Sequence, residues 1–314
     1  MSRVVKLSSA DRVLFPAAGV TKGDLFEYYG RIAPILVPHL RNRPFTMKRW
    51  PHGIHGEAYF QKQAPKGMPD WIPTRQFVTH QRGGGSRLVD FPLLNSREAI
   101  QWMVQMNCVD MNAWYSRVDK PARPDFVLFD LDPPDGEFRL GVKAAQLVRE
   151  ALEELELRSY VKTSGSEGIH ILVPVTRRYT FPETHRFAEL VSKRLAAENP
   201  GVVTTEWLKR KRVGVLIDYH QNGAGKTIAS AYSVRPKEGA PVSTPLRWEE
   251  VTARLDPGRF TMAAVLRRIE REGDLFEPVL RGGQSLGAAL RSLERHSAAQ
   301  AAARRPSHSG VRRT

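Results

Sequence analysis

The chain has 314 residues, of which 41% are hydrophobic and 26% are charged, a composition typical of a globular protein with one large domain or two closely joined ones. Its 48 basic and 33 acidic residues give a net charge of +15, which attracts polyanions, nucleic acid first. The single cysteine, Cys108, excludes an intrachain disulfide, and no apolar stretch approaches a signal-peptide core or the roughly 20 residues that span a membrane.

The N-terminal third combines two predicted helices with a basic and aromatic stretch. Thr21 is a good N-cap for a hydrophobic stripe, which predicts a helix over residues 21–40. Residues 41–75 read as irregular, and residues 96–113 predict a second helix. Basic and aromatic residues alternate here, as on surfaces that stack unpaired bases and hold phosphates. Core aromatics beside solvated charges would give the same pattern.

Two aspartates close a strongly apolar run over residues 125–132. A strand sends alternate side chains to one face, so Asp130 and Asp132 point the same way, and Pro133 and Pro134 end the strand. Adjacent carboxylates repel each other, so the pair indicates a hard divalent cation such as Mg²⁺. A solvated strand end, or the paired aspartates of glycosyltransferases and phosphatases, remain alternatives.

Strands and helices alternate after this run. The predicted elements are a helix over 141–156, strands over 158–163 and 169–175, a helix over 182–198, strands near 213–218 and 226–234, and helices over 258–272 and 285–302. This mixed order indicates an α/β or α+β fold with a mixed sheet.

A Gly-Ser turn joins the two strands that follow the first aspartates. Ser164, Gly165 and Ser166 let the backbone approach a ligand, and successive N–H groups can form an anion-binding nest. The serine hydroxyls and His170 can donate to phosphate oxygens. Taken alone, the turn could equally be a connection between two strands that binds no ligand. His170 could equally be a residue that only packs at the start of its strand.

A third acidic candidate, Asp218, also ends an apolar strand. If that strand lies beside residues 125–132, the three carboxylates can hold two metal ions roughly 3.5 to 4 Å apart, as in polymerases and nucleases. One ion would lower the pKa of an attacking hydroxyl, and the other would neutralise a leaving pyrophosphate. Asp218 by itself also fits a solvated strand end.

The residues around Asp218 are basic and glycine-rich. The segment 221–227 partly resembles a phosphate-binding loop. That motif requires glycine at the position of His220, so we reject it and favour a β-hairpin through Asn222-Gly223. Arg235 closes the next strand and is suited to clamp a triphosphate. The run Lys209 to Arg212 fits a solvated turn or a contact with a nucleic-acid backbone.

Together these blocks resemble the archaeo-eukaryotic primase superfamily, and more closely the polymerase domain of bacterial ligase D. The matching blocks are DRVLFP with TKGDLFEYY, RPFTMKRWPHG, FDLDPP, KTSGSEGIHILVPV and IDYHQNGAGKTIASAYSVRP, within residues 5–290. The resemblance implies a primase-polymerase core of mixed β-sheets flanked by helices over residues 1–295, with a basic, disordered tail over 296–314. Without fused ligase or nuclease domains, the chain is similar to the stand-alone primase-polymerases associated with ligase C in actinobacteria.

The resemblance also implies roles for single residues. The catalytic and metal-binding residues are Asp130, Asp132 and Asp218. The nucleotide-binding positions are Ser164, Gly165, Ser166, His170, Gln221, Lys226, Arg235, Asn112 and Lys48. The DNA-binding positions are Arg12, Lys22, Arg49, Phe60, Arg210, Lys211 and Arg212. Among these, Arg12 and Lys22 match positions that recognise a 5′-phosphate in the end-joining enzymes, and Phe60 matches an aromatic that stacks on template DNA.

Two positions depart from the family pattern. Glu167 stands where the family usually carries lysine, which reverses one phosphate-binding charge. The alternatives are that Glu167 points away from the site, or that Lys226 or a loop arginine compensates for it. Asn112 stands where the family usually has histidine, and an amide can donate a hydrogen bond but cannot titrate. Both departures bear on nucleotide affinity and sugar selectivity.

The resemblance implies a template-dependent nucleotidyltransferase that fills short gaps or extends DNA ends in repair, with Mn²⁺ or Mg²⁺ and a preference for ribonucleotides. Its expected partners are gapped or broken DNA with a 5′-phosphate, NTPs or dNTPs, a DNA ligase and a Ku-like end-binding protein. We expect a cytoplasmic, nucleoid-associated protein with no membrane partner. The alternatives are a non-catalytic nucleic-acid binder with a decayed polymerase fold, a metal nuclease and, more weakly, a glycosyltransferase.

Overall fold

The computed structural model describes residues 3–80 and 84–303, and these residues form fourteen β-strands and seven α-helices. The strands are β1 Val13–Phe15, β2 Val20–Thr21, β3 Phe45–Arg49, β4 Tyr59–Gln61, β5 Thr74–His80, β6 Ser86–Pro92, β7 Cys108–Trp114, β8 Phe126–Asp132, β9 Tyr160–Thr163, β10 Ile169–Pro174, β11 Val203–Thr204, β12 Val215–Ile217, β13 Thr227–Ala229 and β14 Pro245–Leu246. The helices are α1 Lys22–Leu40, α2 Arg97–Gln105, α3 Phe138–Glu154, α4 Phe181–Glu198, α5 Met262–Glu272, α6 Glu277–Arg281 and α7 Gly287–Ala303.

Two larger sheets organise the fold. A six-stranded sheet has the order β11-β12-β8-β10-β9-β14, with β11 and β12 parallel and the other neighbours antiparallel. A four-stranded antiparallel sheet has the order β13-β7-β3-β4. The pairs β1-β2 and β5-β6 stand apart from them. The mixed sheet flanked by helices confirms the predicted fold class.

Strand β8 separates two hydrophobic cores, because its residues alternate between them. Val127, Phe129 and Leu131 belong to the core that includes residues of α3, α4 and α7. Phe126 and Leu128 belong to the core that includes residues of α1, α2 and the four-stranded sheet. Asp130 and Asp132 continue the second series, so alternation directs both carboxylates toward the space between the sheets.

The predicted helix over residues 96–113 is wrong in its second half. Helix α2 ends at Gln105, and Asn107 has a positive φ of 63°, which interrupts the helix. Residues Cys108–Trp114 then form β7, which pairs with both β3 and β13. The segment predicted as irregular likewise contributes β3 and β4 to the same sheet.

The C-terminal helix α7 continues through Ala303, so the expected domain boundary at residue 295 lies inside a helix. Residues 296–303 of the tail that was expected to be disordered belong to this helix, and the rest of that tail, residues 304–314, lies outside the described residues. In the described ranges, no helix combines the length and the hydropathy that a membrane span requires.

Candidate active site

The ends of β8, β9 and β10 open onto a cavity of about 500 Å³. Carboxylates line one part of it and hydroxyl, imidazole and guanidinium groups line another. The lining residues are Asp130, Asp132, Pro133, Pro134, Asp135, Ser164, Ser166, Glu167, Gly168, His170, Lys209, Arg212 and Arg235. The structure therefore brings together the first predicted aspartates, the Gly-Ser turn and Arg235.

The two aspartates of β8 have raised pKa values. Burial raises the pKa of Asp130 to about 6, although Lys162 and Arg235 partly oppose this. Loss of hydration, followed by repulsion from Asp130 and Asp218, raises the pKa of Asp132 to about 7. Two carboxylates that resist ionisation in one cavity favour a bound cation, since a cation would relieve their repulsion.

Asp218 lies beside this pair, as the sequence predicted. Strand β12 pairs with β8, and the Asp218 N–H donates to the Asp130 carbonyl at 2.9 Å. The Asp218 carboxylate accepts hydrogen bonds from the His220 N–H at 3.0 Å and from Gln221 Nε2 at 3.2 Å. Burial and then Asp130 raise the pKa of Asp218. The third carboxylate is therefore close enough to interact with the first two.

The chemistry of this cluster fits a hard divalent cation. The Tyr115 hydroxyl is buried and has no hydrogen-bond partner in the described part of the chain, and Asp130 and Asp218 are near enough to add to the rise in its pKa that burial causes. An unpartnered hydroxyl beside two carboxylates is suited to a hydrated ion. Within residues 3–80 and 84–303, however, no three His, Cys, Asp or Glu side chains already stand as a ready ligand group.

The side-chain hydroxyl of Ser164 stabilises the conformation of the Gly-Ser turn. Ser164 Oγ accepts hydrogen bonds from the N–H groups of Ser166 at 3.1 Å and Gly168 at 3.0 Å. A Cβ on Gly168 would lie 2.6 Å from the Leu131 carbonyl oxygen, so the turn approaches β8 more closely than any side chain permits. This fixes the serines at the cavity wall beside the carboxylates.

Arg235 anchors the opposite side of the turn. Its Nη1 donates to the Ser164 carbonyl at 2.6 Å, and its Nε lies 3.9 Å from the buried carboxylate of Asp110 on β7. The guanidinium thus links the turn to the four-stranded sheet while still lining the cavity. This position supports the predicted clamp.

A buried lysine that the sequence did not single out completes this wall. Lys162 Nζ lies 2.6 Å from His170 Nδ1, and His170 Nε2 lies 3.2 Å from Asp130 Oδ1. Strand pairing creates the row, because His170 stands opposite both Lys162 and Asp130. Lysine usually marks an exposed position, so its type pointed away from the site. The available signal was a lysine inside a predicted strand, directly after Val161.

The basic run is divided between the cavity and the surface. Lys209 and Arg212 line the cavity, and Lys209 also pairs with Asp135 at 3.0 Å. Arg210 and Lys211 are exposed and do not line it. The predicted DNA-binding segment therefore presents two charges inward and two outward.

The charge of Glu167 has a basic partner, although it still contributes to the raised pKa of Asp132. It pairs with Lys237 at 3.2 Å, and both side chains are largely exposed. Compensation through Lys226 was the alternative, but Lys226 is exposed and does not line the cavity. Lys237 was missed because its position in the sequence gave no sign of this contact.

The segment after Asp218 is not the predicted hairpin. Asn222 is buried, and its side chain accepts from the Leu128 N–H at 2.8 Å and donates to the Leu128 carbonyl at 2.7 Å. Strand β13 then pairs with β7 in the other sheet, not with β12. The Asn222 side chain thus makes the backbone hydrogen bonds with β8 that a neighbouring strand would otherwise make. Gln221, the preceding residue, donates to Asp218.

The four-stranded sheet carries a second group of predicted residues. Lys48 on β3 places Nζ 5.0 Å from the Trp50 ring and 5.1 Å from the ring of Phe60, which is 72% exposed. Arg49 donates to the Met106 carbonyl at 2.9 Å. Asn112 on β7 donates to the Asp110 carbonyl at 3.3 Å, and neither it nor Lys48 lines the cavity.

Arg12 and Lys22 form a separate basic pair. Lys22 is buried, and its ammonium donates to the Ser8 carbonyl and to both oxygens of Gln105, at 2.8 to 3.1 Å. Burial, followed by the charge of Arg12, lowers the pKa of Lys22 to about 8. Arg12 is exposed and donates to the Pro51 carbonyl at 2.9 Å. An anion approaching from solvent would therefore meet Arg12 first.

Comparisons with known proteins agree with this arrangement. Residues 21–276 match the family described as “LigD, primase-polymerase domain”. The multifunctional non-homologous end joining protein LigD of Mycolicibacterium smegmatis is 34% identical over 88% of this chain, and the bifunctional LigD of Bacillus subtilis is 30% identical over 93%. The chain spans 36% and 47% of those relatives' lengths.

A solved structure shares the fold. The polymerase domain of Mycobacterium tuberculosis ligase D in complex with DNA superimposes with a TM-score of 0.81 and 31% sequence identity. The match covers 90% of this chain and the whole of that one.

Proposed function

The chain belongs to the LigD primase-polymerase domain family, and we therefore propose that it is a template-dependent nucleotidyltransferase that fills short gaps or extends broken DNA ends during repair. The observation that carries the proposal is the cavity that joins Asp130 and Asp132 to the Ser164 turn and Arg235. Carboxylates suited to cations face groups suited to phosphates there, which is the arrangement that phosphoryl transfer needs.

In the proposed reaction, a primer 3′-oxygen forms a bond to the α-phosphorus of a bound nucleotide, and pyrophosphate leaves. Asp130, Asp132 and Asp218 would hold Mn²⁺ or Mg²⁺. Bound there, the ions would lower the pKa of the primer hydroxyl and neutralise charge on the departing pyrophosphate. The role of the carboxylates is to hold positive charge at the strand ends.

The phosphate side of the cavity has its own division of labour. Arg235 supplies a fixed guanidinium, and Ser164, whose oxygen already accepts two N–H groups, keeps its hydroxyl hydrogen free to donate. Ser166 and Lys209 add a hydroxyl and a charge at the wall. These groups would bind and orient the triphosphate, since positioning supplies much of the rate in such transfers.

We propose DNA as the partner because the related polymerase domain is described in complex with DNA and the curated relatives are end-joining proteins. Phe60, Lys48 and Arg49 would contact the template strand, with Arg210 and Lys211 on its backbone. Arg12, ahead of Lys22, would meet a 5′-phosphate. A DNA ligase and a Ku-like protein are the proposed cellular partners, and ribonucleotides are the preferred substrates.

Primer extension tests the proposal directly. We would use a gap of one to three nucleotides with a downstream 5′-phosphate, Mn²⁺ or Mg²⁺, and either NTPs or dNTPs. Asp130→Ala should abolish templated addition, whereas Asp70→Ala, at an exposed position outside the cavity, should not. Faster addition of NTPs would support the ribonucleotide preference.

The same assay separates the rival functions. DNA binding without addition under every condition would contradict the enzyme and favour a non-catalytic binder. Shortening of labelled primers without added nucleotides would instead indicate a nuclease that uses the same carboxylates.

A further inference from the structure

Lys162 has an almost wholly buried side chain, at 1% exposure, and its ammonium forms no ion pair with a carboxylate among the described residues. It lies on β9 in the interior of the six-stranded sheet, between β10 and β14. A buried ammonium is costly unless its hydrogens are accepted. Each of its hydrogens therefore needs an acceptor nearby.

Three acceptors surround the ammonium. Lys162 Nζ donates to the Ala229 carbonyl at 3.1 Å and to Ser243 Oγ at 2.6 Å, and it lies 2.6 Å from His170 Nδ1. The direction of the serine contact is fixed, because Ser243 gives its own hydrogen to the Thr163 carbonyl at 2.9 Å. Three acceptors match the three hydrogens of an ammonium group.

These contacts determine which nitrogen of His170 carries the ring proton. Because Lys162 donates to Nδ1, that nitrogen presents its lone pair and the proton lies on Nε2. Nε2 in turn faces Asp130 Oδ1 at 3.2 Å, where an N–H meets a carboxylate oxygen. The opposite tautomer would set a nitrogen lone pair against that oxygen.

The two contacts of the ring also fit its neutral form. Lys162 Nζ lies at Nδ1 and Asp130 Oδ1 lies at Nε2, so one ring nitrogen accepts and the other donates. A neutral ring has one acceptor and one donor nitrogen, so the tautomer decides what it offers to the cavity. A carboxylate at position 162 would have had the opposite effect on both charge and proton position.

We propose that Lys162 is a positioning residue that holds His170 in the Nε2–H tautomer, so that the imidazole donates a hydrogen bond at the cavity wall. In the absence of a nucleotide this N–H orients the Asp130 carboxylate. The identity of its acceptor in the working enzyme, a nucleotide phosphate, rests on the proposed function; the tautomer itself does not.

The tautomer can be measured without any assay of activity. Nitrogen-15 NMR of protein labelled at histidine distinguishes Nδ1–H, Nε2–H and imidazolium rings, and His170→Asn identifies the signal among the nine histidines. We expect Nε2–H in the wild-type protein at neutral pH. An Nδ1–H ring, or an imidazolium, at the signal that His170→Asn removes would overturn the proposal even if no Lys162 variant folded.

A pair of variants then tests the role of Lys162. Lys162→Met keeps the length of the side chain but removes its donors, so His170 should lose its single tautomer. Ser243→Ala removes one lysine partner and leaves the histidine contact, so the tautomer should persist. An Nε2–H ring that survives in Lys162→Met would show that another group sets it.

Kinetics gives a second, separable readout. Removing a charge-assisted hydrogen bond weakens binding roughly tenfold or more, so the nucleotide KM of Lys162→Met should rise by about that factor. Its DNA Kd should stay within about twofold of the wild-type value, and Lys162→Arg should recover part of the loss. An unchanged KM would contradict the positioning role. Failure of all variants and the wild type to add nucleotides would count against the proposed function, while the NMR result would still decide the tautomer.

Discussion

Gly165 shows how a single residue allows the phosphate-side turn to form. It has a φ of +71°, and a Cβ there would lie 2.6 Å from the Ser243 backbone nitrogen and 2.9 Å from the Val242 carbonyl carbon. Those atoms are backbone and cannot move cheaply. The turn therefore needs glycine both for its conformation and for the close approach of the next segment.

Gly165→Ala should consequently destabilise the protein by more than the strain of its backbone alone. Gly67 is a matched control, because it has a φ of +78° and no atom of the described residues lies within 4 Å of the added Cβ. Gly67→Ala should cost about 1 to 2 kcal/mol, the penalty of a left-handed backbone. Denaturant unfolding should show a larger loss of stability for Gly165→Ala, and equal losses would mean that the neighbouring backbone yields.

Asp132 should couple the binding of a divalent cation to folding. Repulsion from Asp130 and Asp218 contributes to its raised pKa, and a cation would relieve it. A cation at a hundred times its dissociation constant adds about 2.7 kcal/mol if it binds only the folded chain. Mn²⁺ should therefore raise the Tm of the wild type, and of Asp70→Asn, but much less that of Asp132→Asn. An equal rise in all three would place the cation elsewhere.

The sequence predicted the two aspartates of β8 better than it predicted Lys162. Alternation alone put Asp130 and Asp132 on one face, because a strand has a fixed period of two. The cavity lining agrees with that prediction. Lys162 was not predicted as a site residue, because its contacts are with His170 on β10 and with Ser243, which are distant in sequence. Such an interaction leaves no local pattern.

At the scale of elements, local signals succeeded where capping is local. Thr21 caps α1 by accepting from the Asp24 N–H, and the Asp24 carboxylate accepts from the Thr21 N–H in return. Strand β7 has no cap of this kind, and the predicted helix ran across it although residues 109–113 alternate between apolar and polar, as strand residues do. Its pairing with β3 and β13, which are distant in sequence, decides its conformation.

A buried contact between a histidine and an aspartate connects helix α1 to the segment between α5 and α6. His39 Nε2 lies 2.8 Å from Asp274 Oδ2, and Asp274 Oδ1 accepts from Tyr232 Oη at 2.7 Å and from the Phe276 N–H at 2.9 Å. Burial by itself would raise the pKa of Asp274, but these contacts lower it below its ordinary value. The ionised carboxylate thus stabilises the packing of these elements.

The sign of the shift predicts the pH dependence of stability. A carboxyl with a lowered folded-state pKa stabilises above its unfolded pKa, near 3.9, and loses that contribution as the pH falls through the folded value. Asp274→Asn should therefore cost roughly 1.5 to 3 kcal/mol at pH 7, the value of hydrogen bonds to a charged group. The difference in unfolding free energy between the variant and the wild type should become smaller below about pH 4. If that difference stays constant in acid, the stabilisation comes from the shape of the Asp274 side chain and not from its charge.

Strand β4, at the edge of the four-stranded sheet, presents an aromatic side chain. Phe60 is 72% exposed and Lys48 Nζ lies over its ring, which places a stacking surface next to a charge. Phe60→Ala should weaken binding of DNA with a single-stranded template by roughly 1 to 3 kcal/mol, or about 5- to 150-fold in Kd. Val78→Ala on β5 removes a side chain that is 57% exposed and should change little. Fluorescence anisotropy would measure both, and similar effects would argue against stacking.

At the scale of the molecule, the site exists because two sheets meet. The six-stranded sheet supplies the aspartates, the Gly-Ser turn and His170, whereas the four-stranded sheet supplies Asp110 and the Ala229 carbonyl. Arg235 and Lys162 connect the two. The sequence blocks could predict this fold through their resemblance to a family, but composition and periodicity could not predict which sheets adjoin.

The net charge of +15 would attract the proposed DNA substrate either through the overall field of the protein or through particular side chains. Arg12, Lys48 and Arg49 belong to the proposed DNA surface. Removing one phosphate contact should reduce the slope of log K against log salt by about 0.9 for duplex DNA. Replacing all three residues by glutamine should therefore flatten that slope in anisotropy titrations.

A second triple variant provides the comparison at equal net charge. A groove along α5 holds three exposed arginines that have no ion pair among the described residues and do not line the catalytic cavity: Arg254, Arg259 and Arg267. Their replacement by glutamine removes the same three charges, yet it should leave the slope unchanged if the proposed surface binds the phosphates. Equal flattening by both variants would mean that DNA responds to the overall field of the protein, since a diffuse attraction depends on total charge and not on where a strand lies.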